Sequence, residues 1–422
     1  MNMMSKMGIL PYIGFAVAAV IYYRRRNPNH PQPNTDFKTG PECLKIIEGS
    51  YHPDGRRNYL SEHDARALEN ETVERIFGIR NAFTTCDRHE AKRFVQGVTR
   101  LMKLTDTGWD GLGRVLYRTA WDTLDMELAT GDRTRVNLAS VTQVLALKSS
   151  LSVFFHMTDK VDNGGLLDLA ATIHRTWVDM KREEPDVKDF KDNHDLQNKL
   201  SAVFPGRDKI LDARSNPLNL ILPSFETVWR VALRLFLELH RRDSDNQDDI
   251  LTLVAFAQKP TDAQFKTEAY ENKISAKSLV KEAFRLYPST RRIRRAYLFS
   301  DAENRITCTA NVEACQTDPK VWGEDAMEFK PARWKKAGVV QDLAFLAFGG
   351  RPFLCPASQD FGLRVVGLIA GVLLDIFGDE WGLELDAEEM KGLGSGERLS
   401  NDRDAYEGVF ANIGELWKDR LE

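Results

Sequence analysis

The chain has 422 residues, 42% of them apolar and 28% charged, the balance of a globular protein able to bury a sizeable core. Its 58 basic and 62 acidic residues give a formal charge of −4, so charge offers no case for a nucleic-acid partner. The five cysteines (Cys43, Cys86, Cys308, Cys315, Cys355) are odd in number and widely spaced, with no CxxC pair. That fits a reducing compartment better than a disulfide framework, and no CxxC pair offers a zinc site.

Residues Met7 to Tyr23 carry no charge, and Arg24, Arg25 and Arg26 follow them. The run meets the lower limit of about 17 to 25 residues for crossing hydrocarbon. A cleaved leader would place its positive charge before the apolar core. The expectation is an uncleaved single-pass anchor with the body in the cytosol, as positive-inside bias directs. The proline-rich stretch Asn27 to Asn34 cannot continue a helix and reads as a stiff spacer. Residues 1–35 are therefore anchor and linker, and 36–422 one large domain; the sequon Asn70-Glu71-Thr72 then stays unglycosylated.

From about residue 60 to 200 the apolar spacing of three and four is helical. Arg93–Lys103, Leu112–Leu128 and Val141–Phe155 are the clearest cases. Asn219–His240 reads as one long helix, with an apolar face along Leu220, Val228, Val231, Leu235 and Leu239. Ser278–Tyr287 is another, stopped by Pro288. Alternation and threonines over 291–315 predict two or three short strands. Pro356–Phe377 is a final apolar helix. The fold class is mainly α with a minor β-sheet.

Four motifs carry chemistry. Within the long helix, Pro223 removes an amide and should open the turn beside Glu226 and Thr227. A carboxylate and a hydroxyl at such a gap can pass protons, although a distorted helix whose threonine bonds its own backbone explains the pattern as well. Glu282 and Arg285, at i and i+3, share a face among Leu279, Ala283 and Leu286. If buried they need a third partner; if exposed they matter little. Asp318–Trp334 is a meander of turn residues with aromatic plugs, and its Arg333 is the natural third partner. Last comes Phe348-Gly349-Gly350-Arg351-Pro352-Phe353-Leu354-Cys355-Pro356-Ala357, a tight loop running into a helix. A cysteine at a helix amino end is biased towards thiolate, though free cysteine is also commonly buried and inert.

Taken in order, these motifs resemble the cytochrome P450 signature: acid-threonine, ExxR, a meander ending FxPxRW, then the cysteine loop. The likeness covers roughly residues 215 to 380 and is strongest over Asp318–Trp334. It implies a mainly helical fold around b-type haem, with iron bound by the Cys355 thiolate. It also implies a structural network of Glu282, Arg285 and Arg333, a proton-delivery pair in Glu226 and Thr227, and Arg295 beside a haem propionate. Phe348 and Arg351 of the loop join the cofactor contacts. The anchor resembles that of microsomal members of the endoplasmic reticulum, which receive electrons from NADPH–cytochrome P450 reductase.

The sequence departs from the family pattern at several points. Arg351 replaces a usual glycine, Phe353 a usual basic residue and Ala357 another glycine. Pro223-Ser224 stand where small residues are common, Trp109 and Arg114 are one residue out of phase for a WxxxR helix, and the body before Thr227 is short. The loop resembles a divergent fungal subgroup. That likeness implies a monooxygenase acting on a lipophilic secondary metabolite such as a terpenoid or polyketide. The alternatives are a haem dehydratase or isomerase, and a non-catalytic haem-binding relative.

Overall fold

The computed structural model describes residues 35–130, 135–158, 161–206, 210–241, 247–268, 273–378, 382–384, 392–393 and 397–412. The expected anchor and linker lie outside these residues. Among the described residues one helix, Leu138–Phe155, is long and apolar enough to cross a membrane, and 83% of it is buried inside the protein.

In the first half, helices α1 (Gly40–Glu48), α2 (Glu62–Ala67) and α3 (Glu71–Phe77) lead into α4 (Arg88–Leu101). Then come α5 (Asp106–Thr130), α6 (Leu138–Phe155), α7 (Asn163–Arg182) and α8 (His194–Val203). Side-chain caps fix several starts: Asp87 accepts from the amides of His89 and Glu90, and Asn137 from that of Ser140. Such caps satisfy amides that a helix cannot pair internally. In the second half, α9 (Leu218–Phe225) and α10 (Val228–His240) precede α11 (Gln247–Gln258), α12 (Asp262–Lys266) and α13 (Ala276–Leu286). Short helices α14 (Val312–Gln316), α15 (Pro319–Trp322) and α16 (Val339–Ala344) punctuate the meander, and α17 (Phe361–Ile376) closes the core.

Helix α6 is buried almost all round and packs against α5, α7, α9 and α10. On the other side α17 packs against α10, α11 and α13. A methyl group at Gly371 of α17 would lie 2.5 Å from the Leu253 carbonyl oxygen of α11, so glycine is what lets these backbones approach.

Among the described residues two three-stranded sheets complete the fold. In one, β1 (Asp36–Phe37) runs parallel to β4 (Ile306–Asn311), which pairs antiparallel with β3 (Arg292–Tyr297). In the other, β6 (Phe410–Asn412) lies between β2 (Arg135–Asn137) and β5 (Gly382–Glu384). The second sheet carries the preceding segment, 397–409, back to α7 and α10. A separate small core of Phe37, Cys43, Ile46, Cys308, Cys315, Trp322 and Leu346 joins α1, the first sheet and the meander.

Two expectations need correction. The helix over 219–240 is two helices, broken at Glu226–Thr227. The helix expected from Pro356 begins at Phe361, after a 3-10 turn over Pro356–Ser358.

Candidate active site

Gly349 adopts φ +72°, which costs glycine little and other residues more. It turns the chain so that the Cys355 amide donates to the Phe348 carbonyl at 3.0 Å, and the Ser358 amide to that of Cys355 at 3.0 Å. With α17 starting six residues on, the sulfur does not sit at its amino end. The local amide of Ala357 bonds it instead. Burial pushes the Cys355 thiol up, while the Ala357 amide and the guanidinium of Arg66 pull the other way without cancelling it. A thiolate here is best stabilised by a cation on the sulfur itself.

Phe353 occupies the inner side of this loop. Arg66 of α2 stacks 4.6 Å from its ring centre and Arg295 of β3 stacks 5.1 Å away. Burial lowers Arg66 to about 9, and Arg295 repels it further. Arg295 is lowered to about 10, chiefly by burial. Its guanidinium donates to the carbonyls of Ile47 (3.1 Å) and Arg294 (2.7 Å), and neither arginine has a carboxylate salt bridge among the described residues. Arg351, expected to reach inward, is exposed without a hydrogen bond or ion pair among those residues, because Phe353 and the two stacked arginines take the inner side. Phe348 packs 5.0 Å from Phe284 of α13.

Behind the loop, Arg285 donates to Glu282 from Nε (2.9 Å) and Nη2 (2.8 Å), a forked pair with both side chains fully buried. The same guanidinium donates to the carbonyls of Gln316, Ala326 and Glu328. Glu282 also accepts from Arg333 Nε (2.8 Å), the Lys330 amide (2.9 Å) and Trp334 Nε1 (3.0 Å). Every strong donor on Arg285 is paired, the condition under which a buried ion pair is tolerated. The network ties the meander to α13, and Phe284 of that helix in turn braces Phe348.

At the α9–α10 break, the Thr227 hydroxyl donates to the Pro223 carbonyl at 2.6 Å, replacing a lost backbone bond. Glu226 is buried and lies 3.4 Å from His174 Nδ1 of α7 and 3.5 Å from Arg230. His174 Nε2 is 2.6 Å from Glu407, whose side chain is partly exposed. Burial disfavours the charged imidazole, but Glu226 and Glu407 outweigh it and raise His174 to about 9. His174, Glu407 and Arg66 belong to no motif, so the sequence offers no local signal for them. Trp109 packs at 5.6 Å on Phe361 and 4.2 Å from the Arg364 guanidinium, serving the core.

These residues fit haem: a loop cysteine with a bonding amide, and beside it two stacked arginines suited to propionates. No family profile matches the chain. It is 31% identical to cytochrome P450 71A12 of Arabidopsis thaliana over 142 residues, 31% of this chain and 27% of that protein. To echinocystic acid 23-monooxygenase of Saponaria officinalis it is 41% identical over 64 residues, 14% of this chain and 12% of that protein. The chain spans between 20% and 27% of the length of the first curated relatives it matches. A 6-coordinated cytochrome P450 from Thermus thermophilus superposes with a TM-score of 0.54 at 16% identity, covering 98% of this chain and 100% of that one. That match shows the fold, and the sequence matches show similarity over part of the chain. The chain has the fold of that cytochrome P450, and its loop cysteine and stacked arginines are chemically suited to a haem-thiolate cofactor.

Proposed function

We propose that the protein is a monooxygenase that takes electrons from NADPH through a flavoprotein reductase and oxidises a lipophilic small molecule. The single observation carrying this reading is the cysteine loop, clamped through Phe284 and Phe348 to the Glu282–Arg285–Arg333 network. Bound haem supplies reductive activation of O2. Cys355 would hold the iron, and Arg295 and Arg66 would bind the propionates. The Thr227 hydroxyl, turned from the Pro223 carbonyl, donates a proton towards the substrate side. Glu226, held by His174 and Arg230, relays to Thr227 a proton taken from the charged His174 imidazole. A membrane anchor at the endoplasmic reticulum, a cytosolic body and a terpenoid or polyketide substrate complete the proposal. The relative named for its action on echinocystic acid supports a lipophilic substrate.

The test is reconstitution of haem-loaded protein with a reductase, following NADPH, peroxide and product over a panel of lipophilic compounds. Thr227→Ala should keep its haem spectrum and lose product several-fold while peroxide rises. Equal coupling in variant and wild type removes Thr227 from proton delivery. NADPH use no faster than that of Cys355→Ala rejects the monooxygenase reading.

A further inference from the structure

The fold holds two buried glutamates in opposite ways. Glu282 accepts from Arg285, Arg333, the Lys330 amide and Trp334, so both of its oxygens are engaged. Glu226 is 1% exposed, yet neither of its oxygens accepts a hydrogen bond among the described residues. An unmatched buried carboxylate is costly, and one that gives and takes a proton cannot have both oxygens tied to fixed donors. His174 Nδ1, likewise without a hydrogen bond, stands 3.4 Å from Glu226. That is slightly beyond the proton-transfer reach of about 2.6–3.2 Å, and such contacts tighten when the site is loaded.

The ring is aimed from its other end. Its Nε2 lies 2.6 Å from Glu407, whose side chain is 42% exposed while that of His174 is 7% exposed. Trp229 of α10 meets the ring edge-on at 5.0 Å. A chain of groups thus runs from solvent at Glu407 through His174 to Glu226 and Thr227. The Glu407 carboxylate is not needed to hold its own segment. The Glu407 carbonyl accepts from Asn137 at 3.0 Å, the Val409 carbonyl from the Leu138 amide at 2.9 Å, and Arg234 donates to the carbonyls of Ser400 and Asp402. Burial opposes charge on His174, and the two glutamates outweigh it, raising the ring to about 9. The elements packed against α7 carry other buried or half-buried charges: Glu74 on α3, Glu127 on α5, Lys148 on α6 and Lys199 on α8. Lys199 is engaged by Thr172 and Asp195, and Glu127 by the Asn137 amide. Arg230 lies 3.5 Å from Glu226, and Arg403 lies 5.5 Å from the Trp177 ring centre.

We propose that Glu407 is the positioning residue and solvent-side port of the proton relay, holding the His174 ring with Nδ1 on Glu226. This rests on the monooxygenase reading and extends its relay to the protein surface. In each transfer the Nδ1–H bond breaks and an O–H bond forms on Glu226. The neutral ring, less strongly held by either carboxylate, turns its bare Nδ1 to the partly exposed Glu407 end and regains a proton from water. Supply lasts while the ring holds its charge, and fails as pH rises through about 9. Glu407→Gln keeps a hydrogen-bond acceptor in place and removes the charge, so the ring gives up its charge at lower pH.

The test uses full-length, haem-loaded protein with isotope-labelled histidine, a flavoprotein reductase and thioanisole as the oxidisable probe. The His174 NMR resonance, identified by its loss in His174→Gln, should titrate near 9 in wild type. In Glu407→Gln it should titrate about one pH unit lower or more. The variant-to-wild-type ratio of NADPH consumption should be near unity well below both midpoints. Above them it should fall to about one-tenth or less, because a midpoint one pH unit lower cuts the charged fraction about tenfold there. Glu407→Asp should recover part of both effects. An unmoved His174 titration in Glu407→Gln overturns the proposal. So does a rate ratio that is the same at every pH, which is what a merely structural Glu407 would give. Wild-type NADPH use above the Cys355→Ala background, with a pH profile that ignores Glu407→Gln, sinks this proposal alone. NADPH use at that background at every pH, with the His174 titration still moved by Glu407→Gln, sinks the monooxygenase reading and leaves the Glu407–His174 pairing standing.

Discussion

Arg285 shows how much one buried charge can carry. Both it and Glu282 are fully buried, so truncating the arginine strands a carboxylate in the core. Arg285→Ala should cost about 3–5 kcal/mol, read as a fall in the denaturation midpoint and in haem-loaded yield. A variant of unchanged stability contradicts that burial. The sequence made the need for a third partner legible, since a buried i, i+3 pair leaves carboxylate lone pairs over, and Arg333 stands 2.8 Å from Glu282. Arg66 was not legible, because nothing in Glu62–Ala67 distinguishes it from a surface arginine until the fold brings Phe353 over it.

His174 gives a pH signature. Its folded-state value of about 9 lies above the unfolded value of about 6.5. Its stabilising effect is therefore complete below pH 6.5 and disappears as pH rises through 9. The ceiling is about 3 kcal/mol, reduced because Glu407 is partly open to solvent. Unfolding at pH 6.5 and pH 9 should show a stability gap between wild type and His174→Gln that narrows as pH rises. A gap independent of pH contradicts the charged imidazole.

Among the elements, the α9–α10 break and the α11–α17 contact are the informative ones. Pro223 announced a disturbance, yet apolar spacing continues across Glu226–Thr227, so periodicity alone reads one helix where backbone bonding gives two. The same blindness extended the last helix back to Pro356. Proline is well suited to a helix's first turn, and nothing local reveals that a 3-10 turn intervenes. At the α11–α17 contact, Gly371→Ala places a methyl group 2.5 Å from the Leu253 carbonyl oxygen. Backbone must move, and overpacking of this kind costs about 1–3 kcal/mol. Thermal unfolding measures it; a neutral or stabilised variant shows that the helices are farther apart than described.

For the whole molecule, the second half was readable because its motifs are local and ordered along the chain. The first half was readable only as helices. Its packing around α6 and the return of segment 397–409 through the second sheet both depend on partners far apart in sequence. In the proposed site haem would draw on both halves: α2 would supply Arg66, α13 braces the loop through Phe284 and Phe348, and Cys355 would supply the sulfur. The reduced-plus-CO absorption spectrum of purified full-length protein, beside Cys355→Ala, tests that union most directly. Wild type should show the red-shifted band of thiolate-ligated haem, and the variant should lack it. A wild type with no such band under haem-replete expression, or a variant that keeps it, contradicts the account.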